Sequence, residues 1–212
     1  LPRLFLGTYV DESSQLALEQ LARSNTKLET TWNCRIKWSK PNQFHLTWIF
    51  FGDIEPAKTD ELTHLVDQVI KTKQQKFQLH PEESSLTYKK LQCWFNSNTP
   101  SLIAIVPDKI ENKLLTYFPE VRLQLADCAA DSVRLQAKRP FRPHITLARI
   151  AGFENRSPNL PLGINDEMPL EVIDGLNTLL PLKQPLKKVS LIESKEIAGS
   201  HQYKTIADFS IF

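Results

Sequence analysis

The sequence predicts an α+β fold of two similar lobes, and three observations carry that expectation. Strand-like and helix-like segments are mixed along the whole chain and many joins are of hairpin length, which argues against a doubly wound parallel sheet. Each half runs strand, helix and then further strands. Most specifically, His45-Leu46-Thr47-Trp48 returns 99 residues later as His144-Ile145-Thr146-Leu147, each copy on a strand preceded by helix-containing sequence.

The elements follow from local pattern. Arg3 to Val10 alternates loosely and reads as an opening strand. Asp11 to Ser14 offers N-cap residues for a helix through Leu16, Leu18, Leu21 and Ala22. Lys37 to Pro41 reads as a break before the aromatic and β-branched run Gln43 to Phe51, a strand stopped by Gly52-Asp53. Pro56 suits the first turn of a helix whose buried face is Leu62, Leu65, Val66, Val69 and Ile70. Strands are expected at Phe77–His80, Ser85–Phe95 and Leu102–Val106. Pro107-Asp108 opens another helix, and a second apolar pattern runs from Val121 to Ala130. Phe141 to Ile150 is a strand with proline only at its start. Ala151 to Pro185 holds five of the 14 prolines and reads as a long loop or insertion with one strand near Leu170–Ile173. Lys187–Glu193 and Tyr203–Ile211 close the chain as strands, so that residues 1–212 form one domain.

Composition narrows the class without naming a function. A chain of 212 residues, 41% of them hydrophobic, buries a core and is not disordered. No apolar run approaches the roughly 18 residues of a membrane span, and the first residues lack the pattern of a secretory signal. Cys34, Cys93 and Cys128 are scattered, which points to reduced thiols in a cytoplasmic protein and not to a disulfide framework or a zinc site. With 26 Lys+Arg against 24 Asp+Glu, the charge permits a polyanionic partner without requiring one.

The chemistry lies in the duplicated motif. Residues i and i+2 of a strand share a face, so His45 projects with Thr47 and His144 with Thr146. Two such strands across a pseudo-twofold axis present two imidazoles and two hydroxyls to one cleft. That set suits in-line phosphoryl transfer: one histidine accepts a proton from the attacking oxygen, the other gives one to the leaving oxygen, and the hydroxyls bond the phosphate. A single His-x-Thr is an ordinary strand feature; the repetition gives this one weight. His64 reads as an exposed helix residue, His80 as a turn residue and His201 as a hairpin position. No metal is expected, because neither motif histidine has another ligand type two to four residues away. Lys71, Lys73 and Lys76 read as a solvated helix end. Lys138, Arg139 and Arg142 either touch a nucleic-acid backbone or belong to a solvated loop, and both readings stay open. Trp48 is expected to pack beneath its strand.

His45-Leu46-Thr47 and Pro143-His144-Ile145-Thr146-Leu147-Ala148-Arg149 resemble the twin HxTx motifs of the 2H phosphoesterase superfamily, in particular its LigT-like RNA 2′,3′-cyclic phosphodiesterases, also called 2′-5′ RNA ligases. Phe50-Phe51-Gly52 after the first motif, Arg139 to Pro143 before the second, and Leu191, Ser194, Gly199 and Tyr203 near the end extend the resemblance over nearly the whole chain. It implies two lobes of antiparallel sheet with outer helices around a central cleft. It implies opening of a ribose 2′,3′-cyclic phosphate to a 2′-phosphate without a metal or other cofactor, with His45 protonating O3′ and His144 activating water. Thr47 and Thr146 would hold the phosphate. Phe50 and Arg149 match positions near the ribose and phosphate, yet each lies an odd number of residues from its histidine and would face away from the cleft in a regular strand. A bulge or strand end would re-aim them; otherwise Phe50 is core and Arg149 a surface charge. The implied partner is an RNA or oligonucleotide bearing a cyclic phosphate, met by a monomer away from membranes, with 2′-5′ RNA ligation as a side activity. Phosphodiesterase action on small nucleotides, or binding of RNA ends without hydrolysis, are the alternatives.

Overall fold

The computed structural model describes residues 1–96, 99–127, 137–151, 167–168, 170–197 and 200–212. β1 (Arg3–Tyr9) leads to α1 (Glu12–Ser24), whose N-cap Asp11 accepts the Ser14 backbone N–H, and then to the short α2 (Leu28–Trp32) and β2 (Arg35–Trp38). β3 (His45–Asp53), α3 (Thr59–Phe77), β4 (Ser85–Asn96), β5 (Thr99–Pro107), α4 (Asn112–Asp127) and β6 (Ile145–Ala151) follow. β7 (Glu167–Met168), α5 (Leu176–Leu179), β8 (Leu182–Pro185), β9 (Lys188–Ile197) and β10 (Ser200–Ser210) complete the chain.

The strands form one sheet in the order β10-β9-β1-β3-β6-β5-β4-β7, with β2 on β6 and β8 on β4, and every pairing is antiparallel. Its two halves meet where β3 touches β6 through a single register pair, Leu46 and Ile145. Each motif strand is therefore the inner edge of its own half, and the two lobes open from that point into a cleft. Beneath the junction Trp48 is buried as expected. Its ring lies edge-on to Phe118 at 4.7 Å, and its indole N–H donates to Thr8 Oγ1 at 3.1 Å. α3 and α4 pack on each other there, and Lys73 and Lys76 both reach Glu120 across that contact, so this helix end is an inter-helix ion-pair site and not merely solvated.

Several local expectations are corrected. Phe77 ends α3, and Gln78 caps it in a left-handed conformation, so no strand forms at Phe77–His80. The helix expected from Pro107-Asp108 begins only at Asn112, because β5 runs on through Pro107. Arg35 to Trp38 is a strand in place of the break at Lys37, since it finds a free edge on β6. Within 151–185, Leu170–Val172 is a 3-10 turn and not a strand, whereas Leu182–Pro185 pairs with β4. Residues 128–130 of the second apolar pattern (Cys128 among them), the whole stretch 152–166, residue 169 and Gly199 lie outside the described residues. Cys34 and Cys93 are buried free thiols. Among the described residues no helix is long and apolar enough to cross a membrane.

Candidate active site

The two motif strands share a backbone irregularity that decides what faces the cleft. Along β1 and β3, Leu6 pairs with Ile49 and Gly7 with Thr47, which leaves Trp48 as an extra residue. Along β5 and β6, Ile103 pairs with Ala148 and Ala104 with Thr146, which leaves Leu147 extra. Both bulges stand three residues after a motif histidine. Each shifts the side-chain alternation by one, so Trp48 and Ile49 are both buried, as are Leu147 and Ala148. Phe50 and Arg149, five residues after their histidines, consequently turn back towards His45 and His144. Neither faces away as regular strands would have required.

The resulting cleft of about 620 Å³ is lined by both histidines, both threonines, Phe50 and Arg149. All six residues singled out in the sequence are thus brought together. Lys138 and Arg139 stand outside the cleft lining, while Arg142 lies over the Trp94 ring at 4.2 Å, and that ring lies 4.3 Å from the His144 ring. His45 is flanked by Phe5 at 4.8 Å and by Tyr203, edge-on, at 5.3 Å.

Each imidazole is held in the same way. His45 Nδ1–H donates to the Gln43 carbonyl at 2.6 Å, and His144 Nδ1–H donates to the Arg142 carbonyl at 2.9 Å. A carbonyl only accepts, so both neutral rings carry their proton on Nδ1, and Nε2 is the basic nitrogen. Burial pushes His45 down from the ordinary 6.5 to about 4; the nearby His144 and Arg149 push the same way, and the Gln43 carbonyl pushes against them. Burial also lowers His144, with Arg142 and Arg149 adding to the effect. Both rings therefore favour the neutral form until something offsets these cations.

An anion would do so. Lys37 and Arg149 are direct cross-strand partners on β2 and β6, and both line the cleft. Like charges placed directly opposite one another repel, so this edge of the cleft concentrates positive charge. Arg3 adds a third cation, and no described residue lining this cleft is a carboxylate. Among the described residues no group of three His, Cys, Asp or Glu side chains comes together as a metal site would need.

Sequence reasoning missed Lys37, Trp38 and Ser39, which β2 and its continuation bring to the cleft, and it missed His201 at the rim. The alternation Arg35-Ile36-Lys37-Trp38 was an available strand signal. His201 carried none, because its place depends on the pairing of β9 with β10.

No family model matches the chain. It is 24% identical over 208 residues to the RNA 2′,3′-cyclic phosphodiesterase of Aquifex aeolicus, covering 98% of this chain and 96% of that one. It is 26% identical over 148 residues to the protein of the same name from Bacillus subtilis, covering 70% and 71%. Superposition on E. coli LigT complexed with 3′-AMP gives a TM-score of 0.64 at 16% identity, over 100% of this chain and 99% of LigT. The chain has the fold of E. coli LigT, and its sequence resembles those of two RNA 2′,3′-cyclic phosphodiesterases.

Proposed function

We propose that the chain is an RNA 2′,3′-cyclic phosphodiesterase that opens a terminal ribose cyclic phosphate to a 2′-phosphate. The observation that carries this reading is the matched pair of imidazoles, each locked with Nδ1–H on a carbonyl, in one cationic cleft. In this mechanism the cyclic phosphate lies between the lobes, its non-bridging oxygens bonded by Thr47 and Thr146 and its charge matched by Arg149. His144 Nε2 takes a proton from water as the water oxygen attacks phosphorus. The P–O3′ bond breaks on the opposite side, and His45 Nε2–H gives O3′ its proton. The products are a 2′-phosphate and a free 3′-hydroxyl, and the two rings exchange protonation states until solvent resets them.

His45 resists protonation in the unliganded protein, and the substrate resolves this. The phosphate offsets the Arg149 charge and favours the imidazolium form. With a 5′-hydroxyl in place of water, the same displacement breaks the P–O3′ bond, joins that 5′ oxygen to the phosphorus held on O2′ and protonates O3′, which would be a 2′-5′ ligase side activity. Both motifs sit on one chain, so a monomer suffices, and free buried thiols fit a cytoplasmic setting.

The test is to incubate the protein with a short RNA ending in a 2′,3′-cyclic phosphate, in EDTA, and to identify the product. A 2′-phosphate supports the reading. A 3′-phosphate product, or turnover only when zinc is restored, contradicts it.

A further inference from the structure

The face of the sheet that carries His45 continues past the cleft. Cross-strand partners share a face, and the register places Arg3, Ser194 and Tyr203 in one row across β1, β9 and β10. Phe5, which flanks His45, lies one two-residue step along β1, about 6.6 Å away. His201 and Glu196 form the next row outward. Beyond Arg3, Ser194 and His201 opens a second cavity of about 300 Å³, which these three residues share with the catalytic cleft as a common wall. That volume is at the small end of sites for small molecules.

The chemistry changes across the wall. The cleft side is cationic. The outer cavity is mixed in charge: it offers carboxylates at Asp53 and Glu196 beside Lys195, which pairs with Glu193 at 3.1 Å, together with the half-exposed apolar side chain of Ile197. On the wall, Arg3 Nε lies 3.7 Å from Asp53 Oδ1 with both side chains more than half exposed, a spacing too long for a hydrogen bond. Ser194 is buried, and its hydroxyl lies 3.2 Å from His201 Nδ1, which fixes that ring in place. The Gln43 side chain donates to the His201 carbonyl while the Gln43 carbonyl accepts from His45, so the wall is tied to the catalytic ring through one residue.

We infer that this wall and cavity bind the nucleotide preceding the cyclic end, so that the substrate is an oligonucleotide of at least two residues. The inference rests on the proposed phosphodiesterase reading and specifies its substrate. The bridging phosphodiester lies at Arg3 and His201, on the wall that the catalytic cleft shares with the outer cavity. The preceding nucleoside occupies the outer cavity, where Asp53 and Glu196 accept hydrogen bonds from ribose hydroxyls or base N–H groups, and Ile197 covers the base.

The test compares kcat/KM for a nucleoside 2′,3′-cyclic phosphate with that for a dinucleotide ending in the same cyclic phosphate. The dinucleotide is expected to be favoured about 10-fold or more, the scale of one charge-assisted hydrogen bond, mainly through KM. That ratio should collapse towards unity in His201→Ala and in Arg3→Gln. It should also collapse in the wild-type protein when the bridging phosphate is an uncharged methylphosphonate, a probe that leaves the protein's folding untouched. A wild-type ratio near unity, or a ratio that survives both substitutions and the methylphosphonate, overturns the inference. Turnover of the mononucleotide without a dinucleotide advantage refutes the outer site alone; no turnover of either substrate refutes the phosphodiesterase reading itself.

Discussion

In the proposed mechanism Arg149 is the residue through which the substrate and the two imidazoles sense one another. Its guanidinium contributes to lowering both histidines, after burial in each case. Removing it takes away a cation that disfavours the imidazolium, so in Arg149→Met both pKa values should rise, read by NMR titration of the ring protons, while KM increases. Unchanged or lower histidine pKa values would separate Arg149 from the pair. His45→Ala and His144→Ala should each lose roughly 100-fold or more in kcat, the usual scale of a general acid or base. Thr47→Ala and Thr146→Ala should lose less, because each removes one hydrogen bond to phosphate and leaves proton transfer in place. Near wild-type turnover in either histidine variant, with folding confirmed by circular dichroism, would remove that ring from the mechanism.

At the scale of elements, the site depends on a bulge in each motif strand and on the close approach of β1 to β3 at the first of them. A Cβ on Gly7 would lie 2.8 Å from the Leu46 carbonyl oxygen and 3.5 Å from His45 Cδ2. The obstacle is backbone and cannot swing aside. Gly7→Ala should therefore cost about 1–3 kcal/mol in a urea melt, as overpacking does, and should lower kcat by displacing His45. Full stability together with full activity would show that β1 yields without moving the ring. The same bulges explain what the sequence left unread. The two motifs and their shared face were legible because His-x-Thr obeys the period of a strand. The return of Phe50 and Arg149 to the cleft was not, because period-2 reasoning fails at an inserted residue. A signal did exist: Trp48-Ile49 and Leu147-Ala148 are paired apolar residues at equal offsets, where a regular strand would alternate. β2 was hidden by the Ser39-Lys40-Pro41 break that follows it, and the end of α3 was hidden because Phe77-Gln78-Leu79-His80 alternates like a strand. Gln78 supplies instead the left-handed cap that ends a helix.

For the whole molecule, two half-sheets that touch through Leu46 and Ile145 hold the imidazoles in a partly dry cleft, and stability and activity then respond to pH together. Burial pushes His45 down to about 4 in the folded chain, while the unfolded chain keeps the ordinary 6.5. The unfolded chain thus binds more protons between those values, and stability rises with pH across that window. This contribution is complete above about pH 6.5 and is lost as pH falls towards 4, with His144 acting in the same direction. Urea melts at either end of the window should show a smaller acid loss in His45→Gln than in the wild type; equal losses would mean that His45 is not the buried neutral ring described here.

The pH dependence of hydrolysis, measured in EDTA on an RNA ending in a 2′,3′-cyclic phosphate, tests the paired-histidine account most directly. The phosphodiester stays ionised throughout and adds no limb, so any bell belongs to the coupled pair. Because both rings are lowered in the free protein, the kcat/KM bell should lie on the acid side of neutrality. In kcat the bound phosphate should carry both limbs to higher pH. Profiles flat from about pH 5 to pH 9, with chemistry verified as the slow step, would contradict a mechanism that needs one protonated and one neutral imidazole.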